Sequence, residues 1–171
     1  MNPTYVQTVN LLLDIAPTVF QTPRFAMKGG TALNLFVQDL PRLSVDIDVV
    51  FINHLADRDT ALQEISQEIQ RIEVAIAEMG YETRTRKVHG GDEVKLDIFS
   101  AEAEVKVEVN FVFRGTVLPV QIRSLSAKTQ ALFSKNIQVP VLSPSELYGS
   151  KLVAAMARQH PRDLFDVLKM Y

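Results

Sequence analysis

The sequence predicts one α+β unit carrying a helical C-terminal segment. Three observations point there. Apolar residues recur at helical spacing near the N-terminus and again, at longer reach, between residues 62 and 79. Short stretches with period-two alternation then fill residues 81–122, joining an earlier one at 45–52. Finally, two proline-headed helix starts close the chain, and this strands-then-helices order fits one α+β unit.

The elements follow in order. Asn2-Pro3 reads as an N-cap with proline at the first helical position, and Val6, Val9, Leu13 and Ala16 repeat at helical spacing until Pro17 stops them. Arg24–Met27 is a short strand leading to Gly29-Gly30, and Thr31–Val37 a helix of one or two turns. A turn at Pro41–Ser44 precedes the strand Val45–Ile52. Thr60 and Gln63 make a capping box for a long helix whose stripe is Leu62, Ile65, Ile69, Ile72, Ile76 and Met79, ended by Gly80. Its pattern lasts too few heptads for a coiled coil, so the helix faces a core. Tyr81–Val88 is a strand closed by the His89–Asp92 turn. Val94–Phe99, Glu104–Phe113 and Val117–Ile122 are further strands. Ser143-Pro144-Ser145-Glu146 opens a helix to about Arg158, and Pro161 opens another that is still helical in pattern at Tyr171.

Composition bounds the function. With 171 residues, 47% hydrophobic and 22% charged, the chain can bury a core of its own. A net charge of −2 excludes a generally basic nucleic-acid binder, so any such contact needs a local patch or a metal that screens phosphates. The lack of cysteine rules out disulfides and thiolate metal sites and suits a reducing cytoplasm. No apolar run is long enough for a bilayer span, and no basic n-region marks a signal peptide, so a cytoplasmic protein without membrane contact is expected.

The chemistry concentrates in Lys28-Gly29-Gly30-Thr31 and Asp46-Ile47-Asp48. On a strand, Asp46 and Asp48 share one face while Val45, Ile47 and Val49 share the other. Two like charges side by side need a compensating partner, and Mg²⁺ is commonly held by one or two carboxylates plus substrate phosphates. Glycines opening a helix let backbone N–H groups approach such phosphates. In Glu104–Phe113, Val105, Val107, Val109 and Phe111 share a face, leaving Lys106, Glu108 and Asn110 on the other. If that strand lies beside Val45–Ile52, Glu108 completes a three-carboxylate cluster able to hold two Mg²⁺ ions, with Asp97 as the competitor for the third place.

Gly29-Gly30-Thr31 followed by Leu43-Ser44-Val45-Asp46-Ile47-Asp48 resembles the signature of the nucleotidyltransferase fold. More narrowly, it is similar to the AbiEii toxin family of type IV toxin–antitoxin pairs. A second set matches that family's later motifs: Ser143–Leu147, Lys151-Leu152, Ala154-Ala155, Arg158 and Arg162-Asp163-Leu164-Phe165-Asp166. The resemblance implies a nucleotidyltransferase-like mixed sheet flanked by helices over 1–140, with the lysine and Arg-Asp-x-x-Asp motifs on a helical segment at 141–171. It implies transfer of a nucleoside monophosphate from an NTP, with Mg²⁺, to an acceptor such as a tRNA end, and an antitoxin that need not touch the toxin. Asp46, Asp48 and Glu108 would bind metal, with Glu108 helping to deprotonate the attacking hydroxyl. Lys28, Gly29, Gly30 and Thr31 would cradle the phosphates and Lys151 would pair with the triphosphate. Asp163 or Asp166 would orient Lys151 or the acceptor, and the sequence does not choose between them. Family members commonly carry a further helical region, so the chain is expected to be a short member, a fragment, or one lacking part of the acceptor surface.

Each residue also has a plainer reading. The glycine pair could be only a tight turn, the Asp pair a solvated strand face, Glu108 and Lys151 surface residues, and Arg162–Asp166 an i,i+4 helix pair. His54, His89 and His160 are read as neither ligands nor bases. The rival functions are a small-molecule nucleotidyltransferase of the antibiotic-modifying kind, a catalytically silent nucleotide- or RNA-binding module, and a purely structural interaction domain.

Overall fold

The computed structural model describes the backbone of residues 3–87 and 93–170. The expected Asn2 cap, the His89–Asp92 turn and the side-chain facing of residues 110 and 111 lie outside what is described. Helix α1 spans Pro3–Val19, strand β1 Phe25–Lys28, and helix α2 Gly29–Thr31 continuing as a π-helical turn over Ala32–Val37. Strand β2 is Asp46–Phe51, helix α3 Arg58–Glu78, and strands β3, β4 and β5 are Glu82–Lys87, Glu93–Phe99 and Glu104–Arg114. Then come β6 (Gln121–Ser124), α4 (Ala127–Phe133), β7 (Gln138–Val141), α5 (Pro144–Arg158) and α6 (Pro161–Leu168).

The seven strands form one mixed sheet in the order β3-β4-β5-β2-β1-β7-β6. β2 runs parallel to β5 and β1 parallel to β7, while the other neighbours are antiparallel. Ile47, Val49, Leu96, Ile98, Val105, Val107 and Val109 are buried. They alternate with Asp46, Asp48, Lys95, Lys106 and Glu108, which are only partly covered. Helix α1 packs across β2, β5 and β7 and against α3, and α2 packs on β2 with α5 beside it. The core thus lies between the sheet and α1/α3, and the polar side of β2 is left for α2 and α5 to frame.

Several boundaries differ from the sequence expectation, each for a physical reason. Pro17 sits inside α1 rather than ending it, because Leu12, Leu13, Ile15, Ala16 and Val19 are buried and hold the last turn in place. The cap of α3 is Asp57, whose carboxylate accepts from Thr60 N at 2.8 Å and Thr60 Oγ1 at 2.9 Å, so Thr60 is the donor in this cap. At the far end of its stripe Met79 is exposed, and Glu68 lies within the buried face. Glu68 is satisfied there by Thr22 (2.6 Å) and Arg71 (2.8 Å). Val117 and Leu118 belong to no strand, since their amides donate to the Glu146 carboxylate at 2.8 and 3.1 Å. Helix α6 stops at Leu168, short of Tyr171. Helix α4 and strand β7 had no strong signature. Pro140 lies within β7, which nonetheless joins the sheet between β1 and β6.

Candidate active site

The geometry starts at Gly29. Its φ of +74° is a left-handed conformation that favours glycine, and a Cβ added there would lie 2.1 Å from Asp48 Oδ2. The glycine therefore serves two needs at once: it turns β1 into α2, and it makes room for a carboxylate beside the helix start. A Cβ on Gly30 would lie 2.9 Å from Arg42 Nη2 and 3.1 Å from Ser44 Oγ. Lys28 at the N-cap gives no side-chain cap to α2, and backbone amides at a helix start are suited to phosphate oxygens. Thr31 is fully buried, and its hydroxyl bonds Ser44 Oγ at 3.0 Å and the Asp46 carbonyl, tying the glycine turn to the start of β2.

Strand register gives the acids their setting. Asp48 lies opposite Glu108 of β5 and Lys28 of β1, Glu108 lies opposite Lys95 of β4, and Lys95 opposite Arg86 of β3. A single transverse row across five strands thus reads Arg86, Lys95, Glu108, Asp48, Lys28. The next row reads Arg84, Asp97, Lys106, Asp46. The structure brings Glu108 next to the Asp pair. Asp97 lies across β5 from it, buried and bonded to Arg86 at 2.7 Å. Burial, reinforced by the Glu108 charge, raises the Asp46 pKa. Burial also pushes Asp48 up to about 6, with Lys28 pulling it down and Glu108 and Asp46 pushing it further up.

Asp46 and Asp48 offer hard oxygen donors suited to a Mg²⁺ completed by substrate phosphates and water. Glu108 is engaged elsewhere, since Lys95 Nζ donates to its Oε1 at 2.8 Å. Among the described residues, no three acid or histidine side chains are gathered closely enough to hold an ion by themselves. Asp46 and Asp48 thus fit a two-carboxylate site whose remaining ligands would come from elsewhere.

The opposite wall comes from α5 and α6. Lys151 is buried and donates to Asp163 Oδ1 at 3.1 Å and lies 3.0 Å from Asp166 Oδ2. An ammonium has three N–H donors, so one remains for a ligand oxygen. Asp166 is fully buried and takes a two-pronged contact from Arg42 at 2.7 and 2.6 Å. Burial would raise its pKa, but hydrogen bonds from Arg42 and Lys151 outweigh that and hold it below the usual carboxylate range. Asp166 thus turns inward to Arg42 and Lys151 and away from Arg162, its expected i,i+4 partner. Asp163 also receives Arg158 Nη2, at 3.0 Å. His160 caps α6, its Nδ1 accepting from Arg162 N at 3.2 Å.

A polar cleft lined by Gly30, Arg42, Asp46, Asp48, Lys151 and Arg158 joins these walls. A more apolar hollow lined by Val50, Leu142, Val153, Ala154 and Ala157 adjoins it, sharing Asp48, Lys151 and Arg158. Arg42 was not singled out from the sequence. Its only local signal is its place between the glycine pair and the Asp pair, and its partner Asp166 is distant in sequence.

A family model described as the nucleotidyl transferase AbiEii toxin of type IV toxin–antitoxin systems matches residues 10–171, covering both walls of the cleft. The chain belongs to that family. Among solved structures, this AbiEii-family chain is similar to MenT4, a nucleotidyltransferase toxin from Mycobacterium tuberculosis H37Rv, with a TM-score of 0.53 at 22% identity. That similarity covers 84% of this chain and 52% of MenT4, so the chain spans about half the length of that toxin. At this identity the likeness establishes a shared fold, the mixed α+β sheet expected from the motifs. No curated protein sequence matches the chain. Among the described residues, no helix is long and apolar enough to cross a membrane.

Proposed function

We propose that this AbiEii-family chain is a nucleotidyltransferase that moves a nucleoside monophosphate from an NTP to an RNA acceptor such as a tRNA end. It would act in the cytoplasm as the toxin of a toxin–antitoxin pair. The observation that carries the reading is the fit between Gly29 and Asp48: the helix turn suited to phosphates is shaped around the carboxylate suited to their metal. A Mg²⁺ held by Asp46 and Asp48, with Glu108 of the neighbouring strand as a third ligand, would neutralise charge on the phosphates in displacement at phosphorus.

The remaining roles belong to the chain itself. Amides of Gly29, Gly30 and Thr31 bind the β- and γ-phosphates, with Lys28 at the mouth of the turn. Lys151, oriented by both Asp163 and Asp166, offers its remaining N–H to the same tail. Glu108, next to Asp48 in the sheet, accepts the proton of the attacking hydroxyl. The adjoining apolar hollow has room for the base, and the core of residues 1–140 carries the acids while 141–171 carries the lysine.

Incubation with each labelled NTP, Mg²⁺ and total tRNA tests this. Labelled RNA is expected, and Asp46→Ala or Asp48→Ala should lower transfer on the order of 10²- to 10³-fold, as loss of one charge-stabilising group does. Label appearing on an aminoglycoside and not on RNA would replace the acceptor assignment. Full activity in Asp48→Ala would overturn the metal assignment.

A further inference from the structure

The row Arg86, Lys95, Glu108, Asp48, Lys28 contains a feature that the transfer reaction does not call for. Lys95 approaches Glu108 from the side away from Asp48, with Nζ 2.8 Å from Oε1 and both side chains about one quarter exposed (27% and 25%). The pairing draws Glu108 toward β4, while Asp46 and Asp48 are drawn into the cleft beside α2. We propose that Lys95 is an internal counter-ion that occupies Glu108 in the cation-free protein and competes with a divalent cation for that carboxylate.

This rests on the reading of Asp46, Asp48 and Glu108 as a cation site and assigns its regulation to a residue that touches neither nucleotide nor metal. Three neighbouring carboxylates repel one another; Lys106 and Arg162 offset this at Asp46, Lys28 and Lys151 at Asp48, and Lys95 pairs directly with Glu108. A first cation enters through Asp46 and Asp48, whereas recruiting Glu108 requires breaking the Lys95 pair. Cation affinity is therefore lowered by the worth of a partly exposed ion pair. Lys95 is a positioning residue, acting through Glu108.

Titration of the metal-free 171-residue chain with Mn²⁺ alone, followed by the electron paramagnetic resonance of free Mn²⁺, tests this. Lys95→Met should tighten Mn²⁺ binding about two- to fivefold, the range expected for losing one competing ion pair. Lys95→Arg, which keeps the pair, should bind as the wild type does. Removing a positive charge favours a cation from any position, so the decisive arm is Lys95→Met in a Glu108→Gln background. There most of the gain should vanish. An equal gain in that background, or no gain in Lys95→Met, would overturn the proposal while leaving the cation site standing. A wild-type chain that binds no Mn²⁺ would overturn both.

Discussion

Asp48 shows what a single residue gives up to hold its place. Its partly covered carboxylate lies against Gly29, and desolvation, opposed by Lys28 and reinforced by Glu108 and Asp46, raises its pKa to about 6 from an ordinary value of 3.8. A raised acid favours the folded protein while protonated, so its benefit is full below about pH 4 and disappears as pH rises through about 6. In chelator, Asp48→Asn should therefore stabilise the chain by up to about 3 kcal/mol at pH 8 and leave it unchanged at pH 4. Thermal melts at the two pH values check this, and an equal effect at both would deny the strained carboxylate. Such strain is common at functional sites, where charge is arranged for a ligand.

At the scale of elements, α6 is attached to the rest by charge more than by apolar packing. Its buried residues are Asp163 and Asp166, while Leu164 and Leu168 are exposed. Asp166 joins Arg42 of the loop before β2 to Lys151 of α5, and the π-helical turn brings Asn34 Nδ2 within 3.4 Å of it and 2.8 Å from the Gly30 carbonyl. Removing Asp166 leaves the Arg42 guanidinium without its carboxylate and Lys151 with Asp163 alone. Asp166→Ala should accordingly cost about 3–5 kcal/mol in urea denaturation, well above an exposed pair such as Lys106–Glu104. A loss below about 1 kcal/mol would mean the network is solvated. Because its pKa is depressed, the stabilisation from Asp166 is present above its ordinary carboxylate pKa and is lost as pH falls through its lowered value.

Taken whole, the molecule is a sheet with two unlike faces. One is closed by α1 and α3 over an aliphatic core. The other carries alternating charges from β3 to β2 and ends at the cleft. A ligand that binds only the folded cleft stabilises the entire fold by mass action. Mg²⁺ with a non-hydrolysable NTP analogue at about 100 times its Kd should add about 2.7 kcal/mol, or roughly 5–10 °C in Tm. Differential scanning fluorimetry reads this directly, and Asp48→Ala should lose the shift. No shift in the wild type would contradict the nucleotide site.

The sequence by itself determined the pieces whose rules are local. Period-two alternation placed β2, β4 and β5, Ser143-Pro144 marked the start of α5, and Gly29-Gly30 marked a turn beside two acids. Tertiary structure decided the matters set by partners remote along the chain. Pro17 remains helical because a buried face holds it, and β7 forms despite Pro140 because β1 and β6 flank it. Arg42 meets Asp166, and Lys95 takes Glu108, through contacts that only the folded sheet and helices create. Side-chain periodicity acts over a few residues and can be read in one dimension, whereas strand register and charge pairing are settled by which segments the burial of apolar surface brings side by side.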